Sequence, residues 1–348
     1  MKKMIYVGGV SIGGNAAVSV QSMTSTDTRD VHATSEQIAR LVDAGCQIVR
    51  VAVPDREAAE ALREIRKLCP IPLVADIHFD YRLALMAADA GVDKIRINPG
   101  NIGAPERVRA VAEACRLRRI PIRIGVNSGS VEKPLLQKYG SPTPEAMVES
   151  ALGHVKLLEE ADFSDIAISL KASDVPTTIA AYRLLDARCE YPLHLGVTHA
   201  GTLHMGMIKA AAGIGGLLAM GIGNTLRVSL TADPVEEVRA GFDILRAVGL
   251  LRDRVEVIAC PTCGRCRIDV MKLADTVEKR LSHIRKPLRV AVMGCAVNGP
   301  GEAREADIGI AGGDGCGLIF SRGEILRKVP MNELADTLCA LAERKAEG

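Results

Sequence analysis

The chain has 348 residues, 48% of them hydrophobic and 25% charged, with a formal net charge of +2. That length suits two or more domains with a sizeable core, and so even a charge balance argues against a nucleic-acid or membrane-surface partner. No uninterrupted apolar run reaches the roughly 18–20 residues of a membrane span, and the start, MKKMIYVGGVSIGG, has a basic tip but no apolar signal core, so the sequence reads as that of a cytoplasmic protein.

From Ser19 to about Leu250 one pattern repeats. A short β-branched run is followed by an Ala/Leu/Glu-rich amphipathic stretch, then another short run. The strand candidates are SVQSMT (19–24), QIVRVAV (47–53), PLVADIHF (72–79), KIRINP (94–99), PIRIGVN (121–127), DIAISLKA (165–172), PLHLGVT (192–198) and TLRVSLT (225–231). Helix candidates fill the gaps, among them SEQIARLVDAG (35–45) and DPVEEVRAGFDILRAVG (233–249). The second opens on an Asp N-cap with Pro at the first helical position. Strands alternating with helices imply parallel pairing and right-handed crossovers. Eight such units point to a closed (β/α)8 barrel of the TIM type. An open doubly wound sheet would carry GxGxxG after its first strand, and this chain does not.

The pattern changes near GLLRDRV (249–255), so the domains are expected at 1–250 and 251–348. VEVIACP (255–261) reads as a strand, CRIDVMKLADTVEKRLSH (266–283) as a helix and LRVAVMGCAVNG (288–299) as a strand. Short strands DIGIAG (307–312) and GLIFS (317–321) and a helix from about Asn332 complete a small α+β domain.

Barrel enzymes carry their chemistry at the C-terminal ends of the strands. Polar residues stand out there: Arg50, Arg96, Arg123, Lys171 and Arg227 on five different strands, with Asn98 and Asn127 just beyond, Asp76 and His78 on the third strand and His194 on the seventh. An unpaired charge inside a barrel is costly. Five cations converging on one mouth suit a polyanion, and guanidinium forks match phosphate geometry. One such Arg would more often pair with a neighbouring carboxylate or point outward, and Arg227, early in its strand, is the weakest of the set.

Ten cysteines are present. Cys46, Cys69, Cys115 and Cys189 lie singly in the first 250 residues and read as small buried hydrophobes. The others gather after residue 259: Cys260, Cys263 and Cys266 in CPTCGRC, Cys295 in MGCAVNGPGEA with Glu302 seven residues on, and Cys316 and Cys339, which have no partner at motif spacing and read as non-ligands. Three metal readings stay open on spacing alone. They are a structural zinc site, a four-thiolate iron–sulfur cluster, and a cluster held by three thiolates and the Glu302 carboxylate.

The segments SVQSMT, VADIHFDYRLAL, RINPGNIG, PIRIGVN, LKASD, YPLHLGVT, RVSLTADPVEEV, ACPTCGR and GCAVNGPGEA together resemble the 4-hydroxy-3-methylbut-2-enyl diphosphate synthase family of the methylerythritol phosphate route to isoprenoids, over nearly the whole chain. The resemblance implies a [4Fe-4S] cluster on Cys260, Cys263, Cys295 and Glu302, with Cys266 outside the ligand set. It implies two-electron reductive ring opening of 2-C-methyl-D-erythritol 2,4-cyclodiphosphate, held by Arg50, Arg96, Asn98, Arg123, Asn127 and Lys171. It further implies a flavodoxin or ferredoxin donor, and a homodimer in which the cluster domain of one chain caps the barrel of the other. Two positions depart from the family pattern. His199 stands where a Glu is usual, on the active face and in reach of proton transfer. Asn224 stands where an Asp is usual, at the opposite end of the barrel, where only a turn effect is expected. A rival reading is a zinc-stabilised barrel acting on a sugar phosphate, with Lys171 as a Schiff-base amine. A non-enzymatic metal- or RNA-binding module fits the near-neutral charge and the inward cations poorly.

Overall fold

The computed structural model describes residues 1–198, 201–296 and 299–347. The chain divides into two compact units, Met1–Leu251 and Arg252–Gly348.

The first unit begins with an antiparallel hairpin, β1 (Ile5–Val7) and β2 (Val10–Ile12), turning through Gly8 and Gly9. Eight parallel strands follow: β3 (Ser19–Met23), β4 (Ile48–Ala52), β5 (Leu73–Asp76), β6 (Lys94–Ile97), β7 (Ile122–Asn127), β8 (Ile166–Lys171), β9 (His194–Leu195) and β10 (Thr225–Leu226). They pair in the order β8-β7-β6-β5-β4-β3-β10-β9, and a parallel bridge between Ile168 and Leu193 joins the two ends. This is the (β/α)8 barrel expected from the alternation. β9 and β10 are only two residues long, against seven-residue runs in the sequence. Beyond them the pairing continues as single bonds, from Arg227 N–H to the Leu195 carbonyl and from Thr198 N–H to the Ala172 carbonyl.

Helices wrap the barrel, and the first turns of several are capped. Asp30, Asp55, Asp80, Asp174 and Asp233 each accept a bond from a first-turn N–H, which satisfies an otherwise orphaned donor. Pro234 at the first position of Pro234–Ala247 is as the sequence suggested. Alternate strand residues such as Val49, Val51, Ile95, Ile97, Ile122, Ile124 and Val126 face these helices and form the main apolar core. The hairpin was not foreseen, since its three-residue strands fall below the length at which alternation is readable. Its Ile5, Val7 and Ile12 pack on Ile48, Val74 and Ala167. These three begin the inward faces of their strands, so the hairpin plugs the N-terminal end of the barrel.

The second unit is a five-stranded sheet: β11 (Val255–Ala259), β12 (Leu288–Met293), β13 (Ile308–Gly312), β14 (Cys316–Ser321) and β15 (Glu324–Pro330), in that spatial order. The first three are parallel and the last two antiparallel. Helices Val270–Leu281 and Leu334–Glu347 pack on it through Val277, Leu281, Leu338 and Ala342. β15 escaped the sequence reading because it is a charged edge strand in which only Val329 is buried. Its two-residue turn, Arg322–Gly323, has both residues at positive φ, 50° and 84°. No helix among the described residues is long and apolar enough to cross a membrane.

Candidate active site

Strand alternation puts residues i and i+2 on one face. In β6 that pairs Lys94 with Arg96, and in β7 Arg123 with Gly125. Lys94 Nζ of β6 lies 3.4 Å from Gln21 Oε1 of β3, a strand three places away in the sheet, so these side chains meet through the barrel interior. Where most barrels stack branched apolar side chains, this one holds Arg50, Asp76, Lys94, Arg96, Arg123, Lys171 and His194, all buried.

Asp76 organises the mouth. Its Oδ1 accepts from Arg96 Nη1 at 2.9 Å, and its Oδ2 lies 3.6 Å from both Arg50 Nε and His78 Nε2. Burial pushes this carboxyl up, but Arg50, His78 and Arg96 outweigh it and hold Asp76 ionised, well below the usual carboxylate range. Arg50 also donates through Nε and Nη2 to the Met23 sulfur, at 3.1 and 3.0 Å. A thioether is a weak acceptor, so much of this guanidinium's bonding capacity stays available. Burial pulls Arg50 down to about 10 in spite of Asp76.

Two glycines make room for two of the cations. A Cβ at Gly125 would stand 2.5 Å from Arg96 Nε and 2.8 Å from Nη2. One at Gly196 would stand 2.7 Å from Lys171 Nζ and 2.8 Å from Cε. The bare backbone lets each side chain lie flat across the neighbouring strand, and Arg96 Nη2 donates to the Gly125 carbonyl at 3.3 Å. These are the glycines of PIRIGVN and PLHLGVT.

Charge inside the barrel is one-sided. Arg123 is 1% exposed, and its Nε and Nη1 have no hydrogen-bond partner among the described residues. Lys171, at the end of β8, has no carboxylate partner among them either. Burial, then Arg50, Arg227, Arg123 and Arg96, push its ammonium well down. Burial, then Arg123 and Arg50, do the same to Lys94. His194 is fully buried, with Nδ1 3.5 Å from Thr225 Oγ1, and burial followed by Arg123 keeps it neutral. Arg227 differs. Its Nε and Nη2 donate to Glu237 at 3.0 and 3.1 Å, while Glu237 also accepts from Ser22 Oγ and Leu230 N–H, so this cation is neutralised within the fold.

Asn98 is buried just beyond β6. Asn127 ends β7, where its backbone N–H and carbonyl both bond to Ser130 Oγ at 3.0 Å. Asn224 sits at the N-terminal end of the barrel, as expected. Its Oδ1 accepts from Leu193 N–H at 3.0 Å and its carbonyl from Ser19 N–H at 3.3 Å, tying the starts of β9, β10 and β3. His199 lies outside the described residues. Lys94 was absent from the sequence reading, although alternation from Arg96 reaches it directly.

In the second unit, Cys260 follows β11, Cys263 lies exposed in the loop, and Cys295 comes two residues after β12. Cys260 Sγ accepts from Gly294 N–H at 3.1 Å, and Cys266 Sγ from Cys263 N–H at 3.4 Å. A Cβ at Gly294 would stand 2.5 Å from Cys266 Sγ and 3.4 Å from Cys260 Sγ, so two sulfurs share one cradle beside Cys295. The Arg265 backbone N–H and charge pull the Cys263 thiol down, toward the thiolate that binds metal. Glu302 ends the short helix Gly299–Glu302, and its side chain lies outside the described residues. Among the described residues no three His, Cys, Asp or Glu side chains converge on a single point. Cys46, Cys69, Cys115 and Cys339 are buried in apolar cores, and burial pushes Cys46 up to about 11 and Cys115 up to about 12.

Comparison with known proteins settles the family. The GcpE TIM-barrel domain matches residues 2–242, and the GcpE protein C-terminal domain matches residues 256–344. The chain belongs to the GcpE family. Two relatives illustrate how close the match runs. A protein of Geobacter sulfurreducens is 61% identical over 98% of this GcpE chain and 97% of its own length, and one of Caldanaerobacter subterraneus subsp. tengcongensis is 62% identical over 99% and 97%. Both are named 4-hydroxy-3-methylbut-2-en-1-yl diphosphate synthase (flavodoxin). Among solved structures, a truncated 3-deoxy-D-arabino-heptulosonate 7-phosphate synthase from Thermotoga maritima is similar at a TM-score of 0.50 and 14% identity, over 71% of this chain and 89% of that one. The spore coat polysaccharide biosynthesis protein spsE from Bacillus subtilis reaches 0.50 at 12% identity, over 71% and 72%. At such identities the likeness concerns the fold alone.

Proposed function

We propose that this chain is a 4-hydroxy-3-methylbut-2-en-1-yl diphosphate synthase, which opens 2-C-methyl-D-erythritol 2,4-cyclodiphosphate reductively. The observation that carries the reading is identity near 60% across both units with relatives of that name. The barrel interior supports it independently. Arg50, Arg96, Arg123 and Lys171 are buried in the barrel, where Asp76 pairs with Arg50 and Arg96 alone, which leaves a surplus of buried positive charge for a diphosphate.

The reaction consumes two electrons and one proton. The carbon–oxygen bond that closes the ring breaks, with the oxygen staying on phosphorus. The hydroxyl on the adjacent carbon leaves as water, and the electrons complete the new double bond. The doubly charged cyclic diphosphate becomes a triply charged linear one. Negative charge therefore grows on the diphosphate as the ring opens, and cations in a dry barrel stabilise that change more than they stabilise the substrate. Asp76 holds Arg50 and Arg96 in place before the ligand arrives, so little reorganisation is left for the reaction itself. Asn98 and Asn127 belong to the same proposal as neutral contacts to the substrate, and His199 as a proton-transfer group.

The thiols of the second unit fit a soft metal. Cys260 and Cys266 lie in the Gly294 cradle, backbone N–H groups face the Cys260 and Cys266 sulfurs, and the Cys263 thiol is shifted toward thiolate. Cys260, Cys263, Cys295 and Glu302 would hold a [4Fe-4S] cluster, which supplies electrons singly together with a Lewis-acidic iron. A flavodoxin or ferredoxin as electron donor and a homodimer complete the proposal, the donor supported by the relatives' names. The test is anaerobic turnover of the cyclic diphosphate by reconstituted protein with a strong one-electron donor, with iron measured on the same sample. Linear diphosphate is the expected product. Iron-loaded protein that binds the cyclic diphosphate yet forms no product overturns the reading, and His199→Glu then tests the departure at that position.

A further inference from the structure

Five cationic side chains lie inside one barrel: Lys94 at 0% exposure, Arg123 at 1%, Arg96 at 6%, Arg50 at 7% and Lys171 at 8%. Asp76 is the buried carboxylate that pairs with them in the described residues, and it is shared by Arg50, Arg96 and His78, while Glu237, also buried, is taken up by Arg227. A guanidinium does not give up its proton in a protein. Three arginines against one carboxylate already leave a permanent excess of two positive charges. Two ammonium groups in the same space would double it, and an isolated buried charge relieves its desolvation by neutralising. The lysines are the groups free to do so.

Their surroundings favour that outcome. Lys94, one layer below Arg96 on β6, is faced by Arg123 of β7, Arg50 of β4, His194 of β9 and Gln21 of β3. Its single polar contact among the described residues is the long 3.4 Å approach to Gln21 Oε1. Lys171 is faced by Arg50, Arg96, Arg123, Arg227 and His194, and by the bare backbone of Gly196. No carboxylate faces either lysine among the described residues. A bound polyanion reverses the balance, because each added negative charge favours an ammonium over an amine.

We propose that the barrel takes up protons as its anionic ligand binds, with Lys171 at the mouth and Lys94 beneath it as the acceptors. This rests on the function proposed above and adds a regulatory property of the same site: affinity falls as pH rises, with no titratable group on the ligand involved. The cyclic diphosphate is a clean probe of it. Each phosphorus carries one strongly acidic oxygen of the diester kind, so the ligand keeps its charge of two across neutral pH, and any proton exchanged comes from the protein.

The experiment is isothermal titration calorimetry of the full-length reconstituted protein, without reductant, against the cyclic diphosphate at pH 8 in buffers of different ionisation enthalpy. The slope of apparent enthalpy against buffer enthalpy should show net uptake of about one proton per chain, and the dissociation constant should rise roughly three- to tenfold per pH unit between pH 7 and 9. Lys94→Met should lower the uptake, and Lys94→Met combined with Lys171→Met should bring it close to zero. Binding with no dependence on buffer, or with net proton release, overturns the proposal even if neither variant folds. Absence of binding in every buffer overturns the diphosphate reading of the barrel, and the proton uptake with it.

Discussion

Gly125→Ala is a sharp test of how the barrel mouth is built. The added Cβ would stand 2.5 Å from Arg96 Nε, 2.8 Å from Nη2 and 3.0 Å from Cζ, closer than such atoms approach. All three belong to the outer half of a flexible side chain, so the strand need not move. The guanidinium swings aside and loses its bond to the Gly125 carbonyl and its alignment on Asp76. The fold should therefore lose only about 1 kcal/mol, the low end of overpacking costs, or a few degrees of melting temperature. Ligand binding should lose one charge-assisted pairing, about 1.5–3 kcal/mol, which is roughly ten- to hundredfold in Kd for the cyclic diphosphate. Calorimetry and steady-state kinetics on the same preparation separate these effects. Arg96→Ala supplies the other side of a double-mutant cycle. If Gly125 acts by positioning Arg96, the double variant binds no more weakly than Arg96→Ala alone. Additive losses, or a Gly125→Ala protein with wild-type affinity, would refute the reasoning.

Arg123→Met should stabilise the ligand-free protein while weakening diphosphate binding, because it replaces a buried guanidinium whose Nε and Nη1 have no partner among the described residues with an apolar side chain; a gain of about 1–4 kcal/mol in denaturant titration is expected, and a loss of stability would contradict the charge count. Ligand-free stability should rise from pH 7 to about pH 8, above which the buried thiols such as Cys46 and Cys115, pushed up in the fold, act in the opposite direction. Lys94 and Lys171 are pushed down in the fold while the unfolded chain holds those protons up to the ordinary lysine range, so the unfolded state binds more protons throughout that window; a flat or falling profile by chemical denaturation would contradict it. Alkylation of the native metal-free chain should label the exposed Cys263 and spare the buried Cys46, Cys69, Cys115 and Cys339, and peptide mass spectrometry showing early modification of those four would contradict their place in the cores.

Much of the barrel was legible because most of its helices open on a side-chain cap, and helix caps and β-branched runs are local signals. What the sequence hid is non-local. The Ile5–Ile12 hairpin has too few residues to show a period, and its role as a plug depends on Ile48, Val74 and Ala167, contributed by three separate strands. Arg227 is the weakest mouth cation in the sequence, but only the fold shows why, since Glu237, ten residues on along the following helix, neutralises it. Nothing local marks Gly125 and Gly196, and only the lie of Arg96 and Lys171 across them explains why no side chain fits. Cys266 was set aside on family resemblance, yet its sulfur shares the Gly294 cradle with Cys260, a proximity that a two-residue gap does not reveal.

Stability and chemistry are separated by strand alternation. In β7, Ile122, Ile124 and Val126 face the helices and belong to the main apolar core, while Arg123 and Gly125 face inward. In β6, Ile95 and Ile97 face out while Lys94 and Arg96 face in. The outward face and the hairpin plug hold the barrel together, so the inward face is released from the packing that fills most barrels. It carries an electrostatic strain that favours the liganded state. A polyanion that relieves this strain binds the folded state alone and stabilises it by mass action. The inward cations that no carboxylate pairs among the described residues, Arg123, Lys94 and Lys171, thus lower the stability of the empty barrel for the same reason that they hold its ligand, and a substitution at one of them should move the two quantities in opposite directions.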